Sequence, residues 1–599
     1  MGSAARSACR EDRALKRWRD LYAGEVRADR VGTKVIVAGW VARRRDHGGL
    51  VFIDLRDHTG IVQLVVNPEH AREAAVTAHE LRSEFVVRAR GEIVRRAPEA
   101  VNPNIPTGEV EIQVDELELV ARSAPLPFQL DDEGVEEPVR LRYRYLDLRR
   151  DRMQRNLRLS ATVISAIRRS MEEQGFIDVW SPSMTLGTPE GARDFLVPVR
   201  LQPGKFFALA QSPQLFKQAF MIGGLDRYYQ IATCWRDEDL RADRQFEFRQ
   251  LDLELAFPTR EDVLDVLEQI VVASFESLGR TAPARPFPRL AYADAMLRYG
   301  SDKPDVRFAL EIQEATDVTR GSEFGVFANA ETVRFVVAPK AFSRGELQKL
   351  EVLAKEWGAK GLAYLVVDDS GEVRSPIAKF LSETELDTFR AEPGSTVLFA
   401  ADSTAMVERV LGAVRTHLGN ELDLIDSDRD ELLWVVDFPL FLKDEDTGQW
   451  TFVHHPFTSP IEGHEDLIEK SPGSALSQHY DLIWNGWELG SGSIRIHRQE
   501  IQSRVFRAMG MTDDEAHAKF GWFLEALQMG APPHGGFALG IERFVALLAG
   551  ESNIREVIAF PKTASGSDPL TGAPAPTTKE RLHELGIELD ETSVAQPKP

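Results

Sequence analysis

Short runs of alternating apolar and polar residues dominate residues 30–125. The runs "KVIVAGWVARRR", "GLVFIDLRDHTGIVQLVVN", "FVVRARGEIVRR" and "GEVEIQVDELELV" predict β-strands, and "EHAREAAVTAHELRSE" predicts a helix among them. Five strands with one helix between the third and the fourth are typical of an OB-type β-barrel, a fold that often binds nucleic acid. Residues 1–29 then form an N-terminal extension.

The pattern changes after the barrel. The segment "ARSAPLPFQLDDEGVEEP" is rich in proline and acidic residues, so a hinge or linker is predicted at residues 126–150. Residues 151–290 are mixed, because "NLRLSATVISAIRRSMEEQG" has the apolar spacing of a long amphipathic helix and four later runs alternate as strands do. These strand runs are "FIDVWSP", "FFALA", "RYYQIATCWRD" and "FEFRQLDLELAF", and the helical run "REDVLDVLEQIVVASFESLG" follows them.

The second half of the chain contains three further segments. Residues 291–430 have their own apolar segments and predict a separate α/β block. Residues 431–562 return to strands and glycines, and residues 563–599 are typical of a loop. The chain is therefore predicted to be a multidomain α+β protein.

Composition excludes several classes of protein. A chain of 599 residues is too long for one core, and roughly 150 residues per domain gives three or four domains. The apolar runs are all shorter than the ~18 residues of a membrane span, and the arginine-rich N-terminus lacks the apolar segment of a secretory signal. The two cysteines, Cys9 and Cys234, form no CxxC pair, so we expect a reducing, cytoplasmic location and no membrane partner.

The net charge of −22 argues against nucleic acid as a partner unless basic patches exist locally. Two stretches supply such patches: "GWVARRRDHGG" and "VRLRYRYLDLRRDRMQRNLR". Taken alone, each stretch can also be explained without nucleic acid, as a solvated face or a helix laced with ion pairs. The charge pattern leaves both explanations open.

The stretch "TCWRDEDLRADRQFEFRQLDLE" is the strongest candidate for chemistry. As a hairpin it places Arg236 and Glu238 on one face of its first strand, and Phe248, Gln250 and Asp252 on one face of its second. An arginine fork matches phosphate oxygens, an aromatic ring can stack on a base, and a carboxylate can accept from an exocyclic amine. The residues predict either a nucleotide site or an edge hairpin that faces water.

Part of this hairpin, "CWRDEDLRADRQFEF", resembles motif 2 of the class II aminoacyl-tRNA synthetases, in the form found in bacterial-type aspartyl-tRNA synthetases of class IIb. "GFIDVWSPSM" is similar to motif 1, with Pro182 at its proline, and "GAPPHGGFALGIERF" is similar to motif 3. Further blocks similar to this family are "TPEGARDFLVP", "QSPQLFKQ", "RYGSDKPD", "HHPFTSP" and "GSGSIRIH". They follow the order of the family and cover nearly the whole chain.

The resemblance implies a fold and an activity. It implies an OB-type anticodon-binding barrel and an antiparallel-sheet catalytic core, formed by residues 151–290 and 431–562 and interrupted by an inserted α/β domain at residues 291–430. It also implies a homodimer that activates L-aspartate with ATP and Mg²⁺ and transfers the aspartyl group to tRNA-Asp. Such a reaction depends on positioning and on stabilising charge, without a protein nucleophile.

The resemblance assigns the ATP site residue by residue. Arg236 and Arg543 are the implied catalytic residues, on the α-phosphate with the substrate carboxylate and on the γ-phosphate respectively. Phe248 stacks on the adenine, Glu238 accepts from its amine, and Gln245 lines the site. The other implied ATP-binding positions are Glu488, Gly540, Ile541 and Glu542. The implied ligands of Mg²⁺, which prefers oxygen atoms, are Asp481 and Glu488.

The aspartate site needs cations for a small side-chain carboxylate. Lys217 and Arg495 occupy the corresponding family positions, and an arginine fork rejects asparagine because its amide would leave a buried charge unpaired. The other implied aspartate-site residues are Glu190, Gln214, Arg236, Asp252, His454 and His455.

In the barrel, Phe52 has the implied anticodon-stacking position and Gln63 the base-reading position. A core position for Phe52 is the alternative from the pattern alone. The other implied anticodon positions are Arg45, His47 and Glu111. His47 and Ala100 stand where tRNA-strict relatives tend to carry leucine and lysine, which resembles non-discriminating enzymes that also charge tRNA-Asn.

Several positions depart from the family pattern: Trp180, Ser181, Phe246, Arg249, Ser491 and Glu542. Motif 1 is chiefly a dimer element, so Trp180 concerns the interface, and alternation places Arg249 on the face opposite the ligand. Two other functions stay open. A catalytically silent tRNA-binding paralogue is expected to have lost Arg236, Arg543 or Lys217, and an adenylate-forming amide synthetase has no need of the barrel.

Overall fold

The computed structural model describes residues 17–187, 191–389, 391–444 and 447–590. The chain divides into a first unit, Met1–Gln154, and a second unit, Arg155–Pro599. Among the helices of these described ranges, none combines the length and the apolarity needed to cross a membrane.

The first unit contains a closed five-stranded barrel with strand order β1-β2-β3-β5-β4. Its elements are β1 (Lys34–His47), β2 (Leu50–Asp57), β3 (Gly60–Val66), α1 (Arg72–Glu80), β4 (Val86–Arg95) and β5 (Val110–Ala121). Val51, Ile53 and Leu55 alternate into the barrel core along β2. Gly48 and Gly49, with φ of 59° and 84°, form the tight turn between β1 and β2. The predicted barrel, with its helix between the third and fourth strands, is confirmed.

Three arginines after the barrel converge on one carboxylate. The carboxylate of Asp147 is fully buried and accepts a hydrogen bond from Arg144. Arg140 and Arg150 each lie 3.5 Å from the same carboxylate. The helices that carry these residues are α2 (Glu137–Arg142) and α3 (Arg144–Asp147). This part of the second basic stretch is therefore an ion-pair network, as one of the two alternatives predicted.

The second unit begins with motif 1 and the hairpin. Its first elements are α4 (Asp151–Glu173), β6 (Ile177–Asp178), β7 (Met184–Thr185), β8 (Leu196–Pro198), β9 (Phe206–Leu209), α5 (Gln214–Ile222), β10 (Arg227–Trp235), β11 (Glu247–Ala256), α6 (Arg260–Ser277), β12 (Arg289–Ala291) and α7 (Tyr292–Tyr299). The predicted amphipathic helix lies within α4, and the predicted hairpin is β10–β11. The strand in "FIDVWSP" is much shorter than predicted, because only the two residues of β6 pair with a neighbouring strand, β10.

A five-stranded antiparallel sheet with order β13-β14-β17-β15-β16 follows. Its elements are β13 (Gln313–Glu314), α8 (Thr316–Thr319), α9 (Gly325–Ala328), β14 (Thr332–Ala338), α10 (Arg344–Glu356), β15 (Ala363–Val367), β16 (Val373–Arg374), α11 (Glu383–Thr388), β17 (Ser395–Asp402) and α12 (Thr404–Glu421). Leu347 and Val407 belong to one apolar core of this sheet, and Phe335 and Phe389 belong to a second. An inserted sheet-and-helix block was predicted here.

The remaining elements complete the larger sheet. They are β18 (Leu432–Val436), β19 (Phe441–Lys443), β20 (Trp450–Phe452), α13 (Leu467–Lys470), β21 (His479–Trp484), β22 (Trp487–Ile494), α14 (Gln499–Ala508), α15 (Asp513–Leu527), β23 (His534–Gly540), α16 (Ile541–Ala549) and α17 (Lys579–Glu584). The eight strands have the order β12-β18-β21-β22-β23-β11-β10-β6. Neighbouring strands of this sheet are antiparallel, except for the parallel pairs β12–β18 and β10–β6.

Packing on one face of this sheet leaves the other face for ligands. Val163 and Ile167 on α4 are buried in the same core as Leu251 and Leu253 on β11. On the central strands, glycine allows close approach: a Cβ added to Gly490 would meet the carbonyl oxygen of residue 538 at 2.2 Å. The middle of the sheet is thus held by backbone contacts, while polar side chains line its open face.

Candidate active site

Most of the predicted ligand-binding residues line one cavity of about 360 Å³ on the open face of the large sheet. Arg236 and Arg543, which are 307 positions apart by their numbers, both line it. The other predicted residues in its wall are Gln214, Lys217, Glu238, Gln245, Phe248, Asp252, His454, His455, Asp481, Glu488, Gly540 and Glu542. Ile541 and Arg495 do not line this cavity, and both are buried. Arg495 contacts His455, which does line it. Glu190 lies outside the described residues.

The alternation predicted for the hairpin is present. Phe248 pairs with Cys234 of β10, and the side chains of Phe248, Gln250 and Asp252 all line the cavity. The guanidinium carbon of Arg236 lies 5.2 Å from the centroid of the Phe248 ring, within the range of a cation–π contact. An arginine and an aromatic ring therefore line the same part of the cavity, as a nucleotide site requires.

Arg543 reaches the cavity from the first turn of α16. Its Nε donates to the carbonyl of Asp243 at 3.2 Å, and its Nη1 donates to the carbonyl of Glu488 at 3.0 Å. The Asp243 carboxylate lies 3.2 Å from Nη2. These contacts fix the guanidinium in the wall of the cavity.

Two predicted ATP-site side chains are engaged by other parts of the chain. The amide of Gln245 donates to the carbonyl of Lys562 at 3.2 Å and accepts from its backbone N–H at 2.8 Å. The carboxylate of Glu542 accepts from Arg249, which lies on the opposite side of β11 as predicted. Both side chains help to form the cavity wall, but their polar atoms bind protein groups.

The aspartate end of the cavity contains a buried network of charges. Lys217 Nζ lies 3.0 Å from the carboxylate of Asp252 and 3.7 Å from that of Glu254. Arg495 binds Glu254 with two nitrogens, at 2.9 and 3.2 Å. Burial raises the pKa of Asp252 against the opposing effect of Lys217. Burial also disfavours the charged form of Glu254, but Arg495 and Lys217 outweigh it and lower the pKa of that carboxyl.

Two polar atoms of this network lack a partner among the described residues. Oδ2 of Asp252 and Nε2 of Gln214 are buried, and neither makes a hydrogen bond within the part of the chain that the structure describes. A buried acceptor and a buried donor without partners cost free energy unless a ligand satisfies them. An ammonium group and a carboxyl oxygen on one small molecule would do so.

Three histidine rings pack against one another beside this network. The ring centroids of His454 and His455 are 4.1 Å apart, and those of His454 and His479 are 4.4 Å apart. Burial and the neighbouring charges lower the pKa of His454 and of His455 well below the usual value, so both rings are neutral at neutral pH. Arg495 can only donate, so Nε2 of His455, 2.7 Å away, accepts from it, and Nδ1 of the same ring lies 3.2 Å from the backbone nitrogen of Phe457.

Acidic side chains form the end of the cavity next to these histidines. Burial and the charge of Asp481 raise the pKa of Glu488, while Arg543 opposes the rise. The Ser491 hydroxyl donates to Asp481, and His479 Nε2 lies 2.8 Å from the same carboxylate. Within the described ranges, no group of three or more His, Cys, Asp or Glu side chains has the arrangement of a metal site. Asp481 and Glu488 are two oxygen donors, not a complete ligand set.

Some side chains in or beside this cavity had no role predicted from the sequence. Asp302, within "RYGSDKPD", also lines it, and burial raises the pKa of its carboxyl. Glu254 and His479 had no assigned role, although Glu254 lies in the predicted alternation of β11 and His479 is two residues from Asp481. The strand period was the signal that could have identified both.

Four of the predicted anticodon residues meet on the barrel. Arg45 pairs with Phe52 across β1 and β2, and its Nη2 donates to Gln63 Oε1 at 3.4 Å. Gln63 Nε2 donates to Glu111 at 2.8 Å. Phe52 is only partly buried, so it is not a core residue. His47 is exposed at the β1–β2 turn, and Ala100 is exposed in the short 3₁₀ turn Pro98–Ala100.

Two further side chains, to which no role was assigned from the sequence, form ion pairs with these barrel residues. Asp54 binds Arg45 at 2.8 Å, and Arg96 lies 3.7 Å from Glu111. Burial lowers the pKa of the Arg96 guanidinium against the opposing effect of Glu111. The surface therefore has a polar hydrogen-bonding row beside a half-buried ring, a combination suited to an unstacked base.

Comparison with known proteins agrees with both parts of this description. The family described as "tRNA synthetases class II (D, K and N)" matches residues 136–564, and an "OB-fold nucleic acid binding domain" matches residues 35–120. The aspartate–tRNA ligase of Geobacillus kaustophilus (strain HTA426) is 47% identical over 581 residues, which cover 95% of this chain and 98% of that protein. The aspartate–tRNA(Asp/Asn) ligase of Thermobifida fusca (strain YX) is 49% identical over 573 residues, covering 94% and 98%.

Among solved structures, the asparaginyl-tRNA synthetase of Pyrococcus horikoshii in complex with asparaginyl-adenylate has a TM-score of 0.58. It is 20% identical and covers 91% of this chain and 98% of its own, so this likeness concerns the fold alone. Together with the near-complete coverage by curated relatives, the match across the catalytic core shows that this chain is a member of the aspartate–tRNA ligase family of class II tRNA synthetases.

Proposed function

We propose that this chain attaches L-aspartate to tRNA-Asp in two steps, through an aspartyl-adenylate. The observation that carries the proposal is one cavity that combines Arg236, Phe248 and Arg543 with the buried charges of Lys217 and Asp252. The first group suits a nucleoside triphosphate, and the second suits a small dicarboxylic amino acid. A single cavity with both ends is what adenylate formation needs.

In the first step, a carboxylate oxygen of aspartate attacks the α-phosphorus of ATP and pyrophosphate leaves. Arg236 would bind the α-phosphate and the attacking carboxylate, so that it reduces their repulsion and aligns them. Arg543 would bind the γ-phosphate, with the adenine stacked against Phe248. In the second step, a hydroxyl of the terminal tRNA ribose attacks the acyl carbon and AMP leaves. Most of the rate enhancement then comes from orientation and preorganised charge.

Selectivity for aspartate follows from the charges at the other end. Lys217 and Arg495 would bind the side-chain carboxylate, and the unpaired Oδ2 of Asp252 would accept from the α-ammonium. Neutral His455 fixes Arg495 without adding charge. Asparagine would present its amide N–H groups to two cationic donors, so one of them would lose its acceptor.

Asp481 and Glu488 are the residues that would hold Mg²⁺. Burial, together with the charge of Asp481, raises the pKa of Glu488, and hard oxygen donors of this kind suit Mg²⁺ with phosphate oxygens and water as further ligands. When bound, Mg²⁺ would neutralise charge on the triphosphate. Ser491 and His479 would orient Asp481 for this role.

The barrel would bind the anticodon, with Phe52 stacking on one base and Gln63 reading another. We also propose that tRNA-Asn is charged, because His47 and Ala100 resemble non-discriminating enzymes and several similar proteins are named aspartate–tRNA(Asp/Asn) ligases. The location proposed for the enzyme is the cytoplasm.

A homodimer is proposed through motif 1. Apolar side chains are unusually exposed around it: Ile177 by 51%, Trp180 by 75%, Met184 by 53% and Leu186 by 69%. A patch of this kind on a monomer marks an interaction surface. Trp180, which departs from the family pattern, would lie in that interface.

Three measurements on one preparation test the proposal. Aspartate-dependent exchange between ATP and labelled pyrophosphate reports adenylation, and aspartylation of purified tRNA-Asp and tRNA-Asn reports the second step. We expect exchange and charging of both tRNAs. Absence of exchange would instead support a catalytically silent paralogue. The retention of Arg236, Arg543 and Lys217 argues against that alternative. Exchange without charging of either tRNA would support an amide synthetase.

A further inference from the structure

A charged pair links β11, which carries Phe248, to α16, which carries Arg543. Arg249 is on β11 but faces away from the cavity. Its Nε donates to one carboxylate oxygen of Glu542 at 2.7 Å, and its backbone N–H donates to the other oxygen at 2.8 Å. The Glu542 side chain is only 5% exposed. One carboxylate therefore binds both the main chain and the side chain of the same residue.

The position of this carboxylate explains why it binds the backbone. Strands β11 and β23 pair up to Gln250 and Gly540, and the chain then turns into α16 at Ile541. The next N–H on β11, that of Arg249, has no strand partner on that side, and the Glu542 carboxylate takes the place of one. A buried backbone N–H needs an acceptor, so this bond extends the ladder by one position.

The neighbours of the pair are the residues that matter for ATP. Arg249 is flanked by Phe248 and Gln250, and Glu542 directly precedes Arg543. Arg249 also lies near α4, where its Nη2 is 3.4 Å from the hydroxyl of Ser160. A shift of the pair would therefore change the separation between the Phe248 ring and the Arg543 guanidinium. Both positions depart from the family pattern, and the structure brings the two departures into direct contact.

We infer that Arg249 and Glu542 are a positioning pair for the nucleotide, and that they set the separation between Phe248 and Arg543. The inference rests on the proposed function, in which the adenine lies on Phe248 and the γ-phosphate on Arg543. Glu542 acts here through its salt bridge to Arg249, without a direct bond to ATP. The pair is distinct from the aspartate network, whose charges are on Lys217, Asp252 and Arg495.

The geometry predicts an unusual pattern in a double-mutant cycle. Glu542→Gln presents one oxygen and one NH₂ group to two donors, so one donor loses its acceptor and faces another donor. Arg249→Met removes the side-chain donor and leaves the backbone N–H with its acceptor. In the double variant R249M/E542Q the remaining amide oxygen can accept from the backbone N–H without a clash. The double variant should therefore have a lower KM for ATP than E542Q alone.

The test measures the KM for ATP, the KM for aspartate and kcat in aspartate-dependent pyrophosphate exchange. We expect E542Q to raise the KM for ATP by roughly 10–30-fold and R249M by roughly 3–10-fold, as loss of a charged hydrogen bond predicts. R249M/E542Q should fall between the two single variants, with the KM for aspartate within about twofold of wild type throughout. The variant R504M on α14, which removes the exposed ion pair with Glu469 on α13, should leave both constants unchanged.

Other results would overturn the inference. Equal rises in both KM values would indicate general loosening of the core, and unchanged ATP constants in both single variants would remove the pair from nucleotide binding. A double variant whose effect equals the product of the two single effects would show that the residues act independently. Wild-type protein without exchange activity would refute the proposed function instead, so the two failures are distinguishable.

Discussion

Replacement of Lys217 by methionine is the sharpest test of the aspartate site. The ammonium of Lys217 is 1% exposed and lies 3.0 Å from Asp252, 3.7 Å from Glu254 and 3.3 Å from the carbonyl of Phe537. Methionine keeps nearly the same length and volume but removes the charge. The substrate side chain then loses one cationic partner, while Arg236, Phe248 and the rest of the ATP end are untouched.

The size of the effect follows from the burial. A charge-assisted hydrogen bond to a buried partner contributes about 2–4 kcal/mol, which corresponds to roughly 30–1,000-fold in the KM for aspartate. We expect the KM for ATP to change by no more than about threefold. The buried carboxylates also lose a counter-charge, so the variant is less stable, and the pKa of Asp252, which burial already raises, rises further.

The assay is pyrophosphate exchange with aspartate and ATP varied separately, together with thermal unfolding of each variant. If K217M is too unstable to assay, K217M/D252N removes the uncompensated charge with a residue of the same shape and restores the fold. Because D252N also removes the acceptor proposed for the α-ammonium, D252N alone is the matched control, and aspartate should bind more weakly to K217M/D252N than to D252N. Equal losses of aspartate and ATP affinity, or a normal KM for aspartate, would refute the assigned role of Lys217.

Three further predictions concern the phosphate site, pH and the barrel. Arg236→Ala should lower the rate of adenylation by about 10²–10³-fold, the effect of losing one preorganised charge donor, and a near-normal single-turnover rate would remove it from the mechanism. Because the pKa values of His454 and His455 are lowered on folding, the unfolded chain gains protons first as the pH falls below 6.5. The contribution of the two histidines to the free energy of unfolding should be full above pH 6.5 and should decrease below it, by up to about 1.4 kcal/mol per histidine per pH unit. The variant H454N/H455N should therefore show a weaker dependence of Tm on pH. Gln63→Ala should impair aspartylation of tRNA-Asp at least tenfold without changing pyrophosphate exchange; a parallel loss of exchange would contradict a role confined to the anticodon.

Strand period was the most informative signal in the sequence. Alternation placed Phe248, Gln250 and Asp252 on one face and Arg249 on the other, and the structure has the same arrangement because both neighbours of β11 keep it in regular pairing. The barrel strands and the long helix were predictable for similar reasons. The resemblance to a family then identified Arg543 as a partner of Arg236, which no local pattern could do.

The side-chain pairs between distant elements could not be predicted. Gln245 binds the backbone of Lys562, and Arg249 binds Glu542, in both cases across roughly 300 residues of chain. Such pairs depend on how the sheet orders its strands, and period alone does not contain that information. The arginines around Asp147 show the same limit, since a count of positive charges cannot distinguish a surface patch from a buried ion-pair network.

The order of strands has a consequence for synthesis of this protein. β11 ends at Ala256, but its neighbour β23 begins only at His534. At roughly 5–20 residues per second, the ribosome needs about 15–55 s to add the intervening chain. Throughout that interval the nascent hairpin has an unpaired edge with apolar residues such as Leu251 and Leu253, which is a template for pairing with other polypeptides. A chaperone that shields this edge until translation passes residue 540 would therefore reduce mispairing of the nascent hairpin.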